Sequence, residues 1–309
     1  MTVQILLGPQ SPTPDVRQAV DSIPIDGPVM AITAGWRDSE AEIDDLEAEL
    51  GRPVENLSLY ERAEHVFGHE PELRALKRER QDKLLELQRL YRIRLAPTLT
   101  AARKLMREDS EPDLLRLEQR AAIKQLRALD RHHLGRIQAI HREFDVRRAE
   151  LALPGATDVR DQIQQQLERA GLVLIAGGHV AVLLNRIRLF RLGDLLAVKN
   201  IIAWSAGAMA LSDRIILFHH HAPQGRRDAE LLDAGLGIVP RRVILPHAKT
   251  RLDWSNRNRM ALFARRFAPA RCCTLDSGSM IRLEDGELTE VSRSFVINRA
   301  GKKKALKPL

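Results

Sequence analysis

Cysteine, aromatic residues and long apolar runs are scarce in this chain of 309 residues, and each shortage removes a class of protein. The two cysteines are adjacent, Cys272-Cys273, on an expected strand whose neighbouring side chains face opposite sides. They cannot form a disulfide framework. The ordinary reading is two thiols in a reducing compartment, against which stand a vicinal disulfide and a metal site. Aromatics make up 4% of the residues, too few to suggest base-stacking surfaces. No stretch approaches the ~18 apolar residues that a membrane-spanning helix requires. Residues 1–9 have no basic segment ahead of their short apolar run, so neither a signal peptide nor a membrane span is expected, and the expected location is cytoplasmic. What remains is 44% hydrophobic and 29% charged, with a net charge of +8. That is the composition of a soluble globular protein of one large or two modest domains, attractive to anions of any kind.

The chemistry concentrates in Ile201-Ile202-Ala203-Trp204-Ser205-Ala206-Gly207. An apolar run that ends in a serine with small residues at minus two and plus two is one methyl away from the G-x-S-x-G elbow of serine hydrolases. Such a turn lifts the hydroxyl clear of the sheet, and the following helix adds its positive N-terminal end. The same small residues would also let a helix pack closely on a strand without any catalytic role. Two other stretches favour the elbow. Leu172-Val173-Leu174-Ile175-Ala176-Gly177-Gly178-His179 reads as a buried strand ending in a Gly-Gly turn, where close backbone approach makes the Gly178 amide a candidate oxyanion donor beside that of Ala206. Arg242-Val243-Ile244-Leu245-Pro246-His247 is another strand, with a histidine at its carboxyl end. Ligands of open parallel sheets bind outside the carboxyl ends of the strands, so Gly178, Ser205 and His247 are expected on one edge, with His247 as general base.

These motifs resemble the peptidase E and cyanophycinase family of serine peptidases. Gly235-Leu236-Gly237 and the Asp276-Ser277-Gly278 turn extend the likeness over roughly 1–57 and 155–285. The resemblance implies a flavodoxin-like, class I glutamine-amidotransferase-like α/β fold, a parallel sheet flanked by helices. It also implies Ser205 as nucleophile, His247 as base and the Gly178 and Ala206 amides as oxyanion hole. The chain departs from the family pattern at Ala203, where glycine is usual, and at His179, where Asn, Asp or Gln is usual. Cyanophycinases have a glutamate where Ser277 stands, and peptidase E has an aspartate near the position of His220. Asp276 is therefore the expected carboxylate for orienting His247, with Asp228, Glu230 and Asp233 behind it. Gly177, His179, His220 and Arg251 complete the expected substrate contacts. Three adjacent histidines, His219 to His221, diverge in direction and lack an acidic or cysteine partner at helical spacing, so no metal is expected.

Alternating strands and helices are expected over 1–58 and again over 154–300, as one discontinuous α/β domain. Trp36 and Arg37 follow the second strand and are candidates to line a pocket. Between the two halves, 59–153 is rich in Arg, Leu, Glu and Gln and nearly free of glycine. Leu73, Leu76, Leu84, Leu87, Tyr91 and Leu95 follow three-four spacing, as do Ile123, Leu126, Leu134, Ile137, Ile140 and Phe144. An inserted, coiled-coil-like antiparallel hairpin is expected, broken at Pro97 and turning near Asp109-Ser110-Glu111-Pro112, with a short extra helix over 98–107. Asp130 and His133 fall near its seam. A dimerisation element or a lid is the expected role, with a helical layer folded back on its own domain as the competing one. Nucleic-acid binding by its arginines is not expected, because acidic residues are interspersed and no recognition motif accompanies the charge. The tail 301–309 reads as basic and disordered.

The functional expectation is a cofactor-free serine hydrolase acting through an acyl-enzyme on a small peptide or isopeptide bond, β-aspartyl bonds included, with a small peptide or acidic substrate and a homodimeric state. A glutaminase would need a thiolate where Ser205 stands. The other reading is a catalytically weak or inactive relative that works as an assembly or binding protein through its helical arm.

Overall fold

Short runs of aliphatic and β-branched residues set the strands, and the glycine-poor segment between them sets the long helices. The structure, a computed structural model, describes residues 2–218 and 228–307. The chain begins with β1 (Val3–Leu7), α1 (Val16–Asp21), β2 (Val29–Ile32), a 3-10 segment (Ala34–Ser39), α2 (Asp44–Leu50) and β3 (Glu55–Asn56). Four consecutive helices follow: α3 (Leu59–His69), α4 (Pro71–Leu105), α5 (Pro112–Ala149) and α6 (Pro154–Arg169). Next come β4 (Leu172–Ile175), α7 (Val180–Leu189), α8 (Gly193–Ala197), β5 (Ile201–Trp204), α9 (Ala206–Ala210), β6 (Arg214–Leu217) and β7 (Glu230–Ala234). The last part holds β8 (Arg242–Pro246), α10 (Ala248–Arg251), α11 (Arg257–Phe267), β9 (Arg271–Leu275), β10 (Met280–Glu284), β11 (Glu287–Ser292), β12 (Phe295–Ile297) and β13 (Lys303–Ala305).

The large sheet runs β11-β10-β1-β5-β4-β2-β3. Its five strands from β1 to β3 are parallel, and β10 and β11 add an antiparallel edge. β1, β2, β4 and β5 are buried at every position, as strands covered on both faces by helices must be. Leu6, Met30, Ile32, Val173, Ile175 and Ile201 pack towards α3, α6 and α7. Their neighbours Ile5, Leu7, Val29, Leu174, Ile202 and Trp204 pack towards α1 and α2. This is the α/β sheet flanked by helices that the sequence leads one to expect.

The histidine-bearing strand sits elsewhere than expected. β8 pairs with β9 in a separate four-stranded sheet, β13-β12-β9-β8. It approaches the large sheet through α9, not through a shared hydrogen-bond ladder. The tail also differs, because Lys303–Ala305 pairs with the exposed edge of β12 and so gains a ladder.

In the hairpin, α4 continues through Pro97 to Leu105, so no separate helix begins at Thr98. Pro97 faces solvent while Leu95, Leu99 and Ala102 on either side are buried. The carbonyl it leaves unbonded can therefore be hydrated, and packing keeps the helix whole. Glu111 caps α5 by accepting hydrogen bonds from the Asp113 and Leu114 amides. The hairpin lies against its own chain: Tyr91, Leu95, Leu126, Leu129 and Ile137 share a core with β6 to β8 and α11. The two polar residues at the seam have partners. Asp130 accepts from Arg266 and Tyr91 in full burial, and His133 bonds Gln88 while stacking on Tyr91 at 3.9 Å. No helix among the described residues is long and apolar enough to cross a membrane.

Candidate active site

A strand that must turn at once into a helix leaves its apex residue in a conformation that side chains avoid. Ser205 is that residue, at φ 51° and ψ −114° between β5 and α9. Its amide donates to the Leu7 carbonyl at 3.1 Å, which ties the turn to the neighbouring strand β1. Two residues on, a Cβ at Gly207 would lie 2.2 Å from the Ile175 carbonyl oxygen. The glycine is thus a steric requirement of the turn, and Ala203, fully buried, shows that a methyl is tolerated on the strand side.

Gly177 and Gly178 end the adjacent strand β4. Gly178 has φ 105°, and a Cβ there would lie 2.4 Å from the Gly35 carbonyl oxygen. The neighbouring amide of His179 donates to that same carbonyl at 2.8 Å, fixing the loop. Among the described residues neither the Gly178 nor the Ala206 amide donates to a backbone acceptor. An oxyanion donor must meet that condition.

Ser205, His247, Gly177 and Gly178 line one cleft of 810 Å³, walled by Trp36 and Trp204. His247 reaches it although its strand belongs to the second sheet. The residue sits at φ 56° and ψ 33°, its amide donating to the Leu275 carbonyl at 3.2 Å. Burial pushes the imidazole below its ordinary pKa, the charge of Arg251 pushes it further, and Asp276 opposes both. The ring is accordingly neutral at neutral pH, the form a general base needs.

Asp276 acts on the histidine loop through the backbone: its carboxylate accepts from the Lys249 amide at 2.8 Å. Arg251 is half-buried on α10. His179 is exposed and caps α7, its Nδ1 accepting from the Val182 amide at 3.3 Å. The reserve carboxylates are engaged away from the cleft: Asp228 with Arg103, Glu230 with Arg92, and Asp233 with His141 and Arg188. His220 lies outside the described residues, as do His219 and His221. Among the described residues no group of three His, Cys, Asp or Glu side chains is placed to hold a metal ion.

Of the second-strand candidates, Trp36 lines the cleft, while Arg37 is exposed at φ 59° and ψ −120°. The sequence reading missed Gln10, Val16 and Leu46, which also line it. Gln10 braces its loop by accepting from the Asp15 and Val16 amides at 2.9 and 2.8 Å. The available signal was positional: the loop after β1 leaves the carboxyl end of a strand next to β5.

A parallel-rich α/β sheet carrying a strained serine elbow over a cleft defines the class, a glutamine-amidotransferase-like α/β protein. The model of peptidase family S51 matches residues 129–291, more than half of the sequence, and the chain belongs to that family. A crystal structure of a peptidase from an acI-B1 Actinobacterium is similar over 99% of this chain and 97% of that one, at 13% identity and a TM-score of 0.47. No curated protein gave a significant match.

Proposed function

We propose that this member of a peptidase family is a serine peptidase that opens a small peptide or isopeptide bond through an acyl-enzyme. The observation that carries the proposal is the strained elbow at Ser205 sharing one cleft with His247 and the Gly-Gly turn. Ser205 Oγ attacks the scissile carbonyl carbon while the His247 imidazole takes its proton. The amides of Gly178 and Ala206 donate to the oxygen that becomes negative. The C–N bond then breaks, the imidazolium passes its proton to the departing amine, and an ester remains on Ser205. Water attacks that ester with His247 again as base, releasing the acid and restoring the hydroxyl. Asp276 steadies the imidazolium at a distance and holds the His247 loop through Lys249. Arg251 supplies positive charge for an acidic group of the substrate, for which a β-aspartyl carboxylate is suited.

A fluorophosphonate probe tests this. Labelling on Ser205 that disappears in Ser205→Ala is the expected result, and folded wild-type protein that takes no label ends the proposal. A second reading, an inactive relative, draws on the Asp276 carboxylate, which bonds the Lys249 amide and, among the described residues, not the imidazole. Its expected result is the absence of label.

A further inference from the structure

On α5, Arg116, Arg120, Lys124, Arg127 and Arg131 recur at spacings of three and four. At about 100° per residue they fall within an arc of about 80° and extend for about 22 Å along the helix. Glu118 lies about 200° round from Arg116, on another face. Asp130, the other carboxylate in this stretch, is buried against Arg266. The stripe forms one wall of a 590 Å³ groove, and Arg265 and Arg299 form the other. Among the described residues no carboxylate lines this groove. Its walls are tied together: Arg127 Nε donates to the Arg265 carbonyl at 3.0 Å, and Arg265 Nε to the Arg299 carbonyl at 2.9 Å. Arg116, at one end, has an acidic partner in Asp113. Arg127 is pushed below its ordinary pKa by burial and then by Arg299 and Arg131, as cations crowded together should be.

We infer that this groove binds the phosphate backbone of single-stranded nucleic acid, without regard to base sequence. The stripe is too long for one small anion to engage, and two cationic walls suit an extended chain lying between them. Six of the seven cations are arginine, whose planar donors match phosphate oxygens in pairs. Among the described residues no aromatic side chain lines the groove, so bases have nothing to stack on, and recognition stops at the backbone. The interspersed acidic residues that spoke against nucleic acid at the sequence level lie outside the groove.

The test is fluorescence anisotropy of the full chain with a labelled 20-residue oligothymidylate at 50 and 200 mM NaCl. Five contacts give a log–log salt slope of about −3.5, so affinity should fall about a hundredfold between the two salts. Binding should be lost in R120E/K124E/R131E and reduced at least tenfold in the milder R120Q/K124Q/R131Q, both checked for folding by circular dichroism. It should persist in R74E/R78E/R94E, which makes the same charge change on exposed positions of α4. Three results would each overturn the inference: no binding at 50 mM NaCl, unchanged binding in the folded stripe variants, or loss in the α4 control. So would equal displacement by polyglutamate or tighter binding of duplex DNA, because the groove would then read charge alone or a different shape.

Discussion

At Ser205 the backbone adopts φ 51° and ψ −114°, a region that costs a non-glycine residue roughly 1–3 kcal/mol. Glycine would relieve that cost at an entropic penalty of about 0.5–1 kcal/mol. Ser205→Gly should therefore melt at a higher temperature than Ser205→Ala, and neither should take a fluorophosphonate label. A Ser205→Gly protein that melts lower would mean that the turn stores no strain. The neighbouring histidine gives a second prediction. With the imidazole depressed below its ordinary pKa of 6.5, the acid limb of kcat/KM for a cleaved peptide should lie below 6.5. Arg251→Gln removes a charge that lowers the pKa and should move the limb up; Asp276→Asn removes one that raises it and should move the limb down. Coincident limbs in all three proteins would exclude His247 as the titrating base. The elbow and the Gly-Gly turn were legible because steric crowding requires small residues at fixed offsets. Val16 and Leu46 were not, because their place in the cleft depends on how α1 and α2 pack on the sheet.

Among the elements, the hairpin of α4 and α5 is joined to the α/β part through Arg266 of α11 and Asp130 of α5. Both are buried, and the guanidinium also donates to Tyr91 of α4 and to the Ala229 carbonyl. Removing one partner strands the other charge in a dry site, at a cost of about 3–5 kcal/mol. Asp130→Ala and Arg266→Ala should each lower stability by that amount in urea unfolding. Asp130→Leu/Arg266→Met should recover much of the loss, as apolar replacements of buried pairs commonly do. Equal losses in the double and single variants would show that packing, not charge, joins the layers. The helical periodicity of 59–153 was readable because a helix bonds within itself. The placement of Pro97 inside α4 was not, since the deciding fact is which side of the helix faces solvent. Strand partners were hidden for a similar reason: β8 and β1 have alike apolar patterns, yet only pairing across the chain assigns them to different sheets.

For the molecule as a whole, buried histidines set how stability varies with acidity. Burial lowers His133 to about 4 against an unfolded value of 6.5. His141 is lowered as well, because burial outweighs the opposing hydrogen bond to Asp233 and Arg188 adds repulsion; His247 follows the same direction. Below 6.5 the unfolded chain binds protons that the folded chain refuses, so stability present above that pH is lost as pH falls. Burial raises the carboxyls of Asp15 and Glu40, which stabilises the fold on acidification and offsets part of the loss near the bottom of the range. His133 alone should account for a decline of about 2 kcal/mol between pH 7 and pH 5, since each tenfold difference in proton affinity between the two states is worth about 1.36 kcal/mol. Urea unfolding at the two pH values checks this. His133→Gln keeps a polar group opposite Gln88 and removes the titration, so it should lower stability at pH 7 yet shrink the difference between pH 7 and pH 5 by about 2 kcal/mol. An undiminished difference would place the acid sensitivity at other groups, His141 on the same helix or His247 in the cleft.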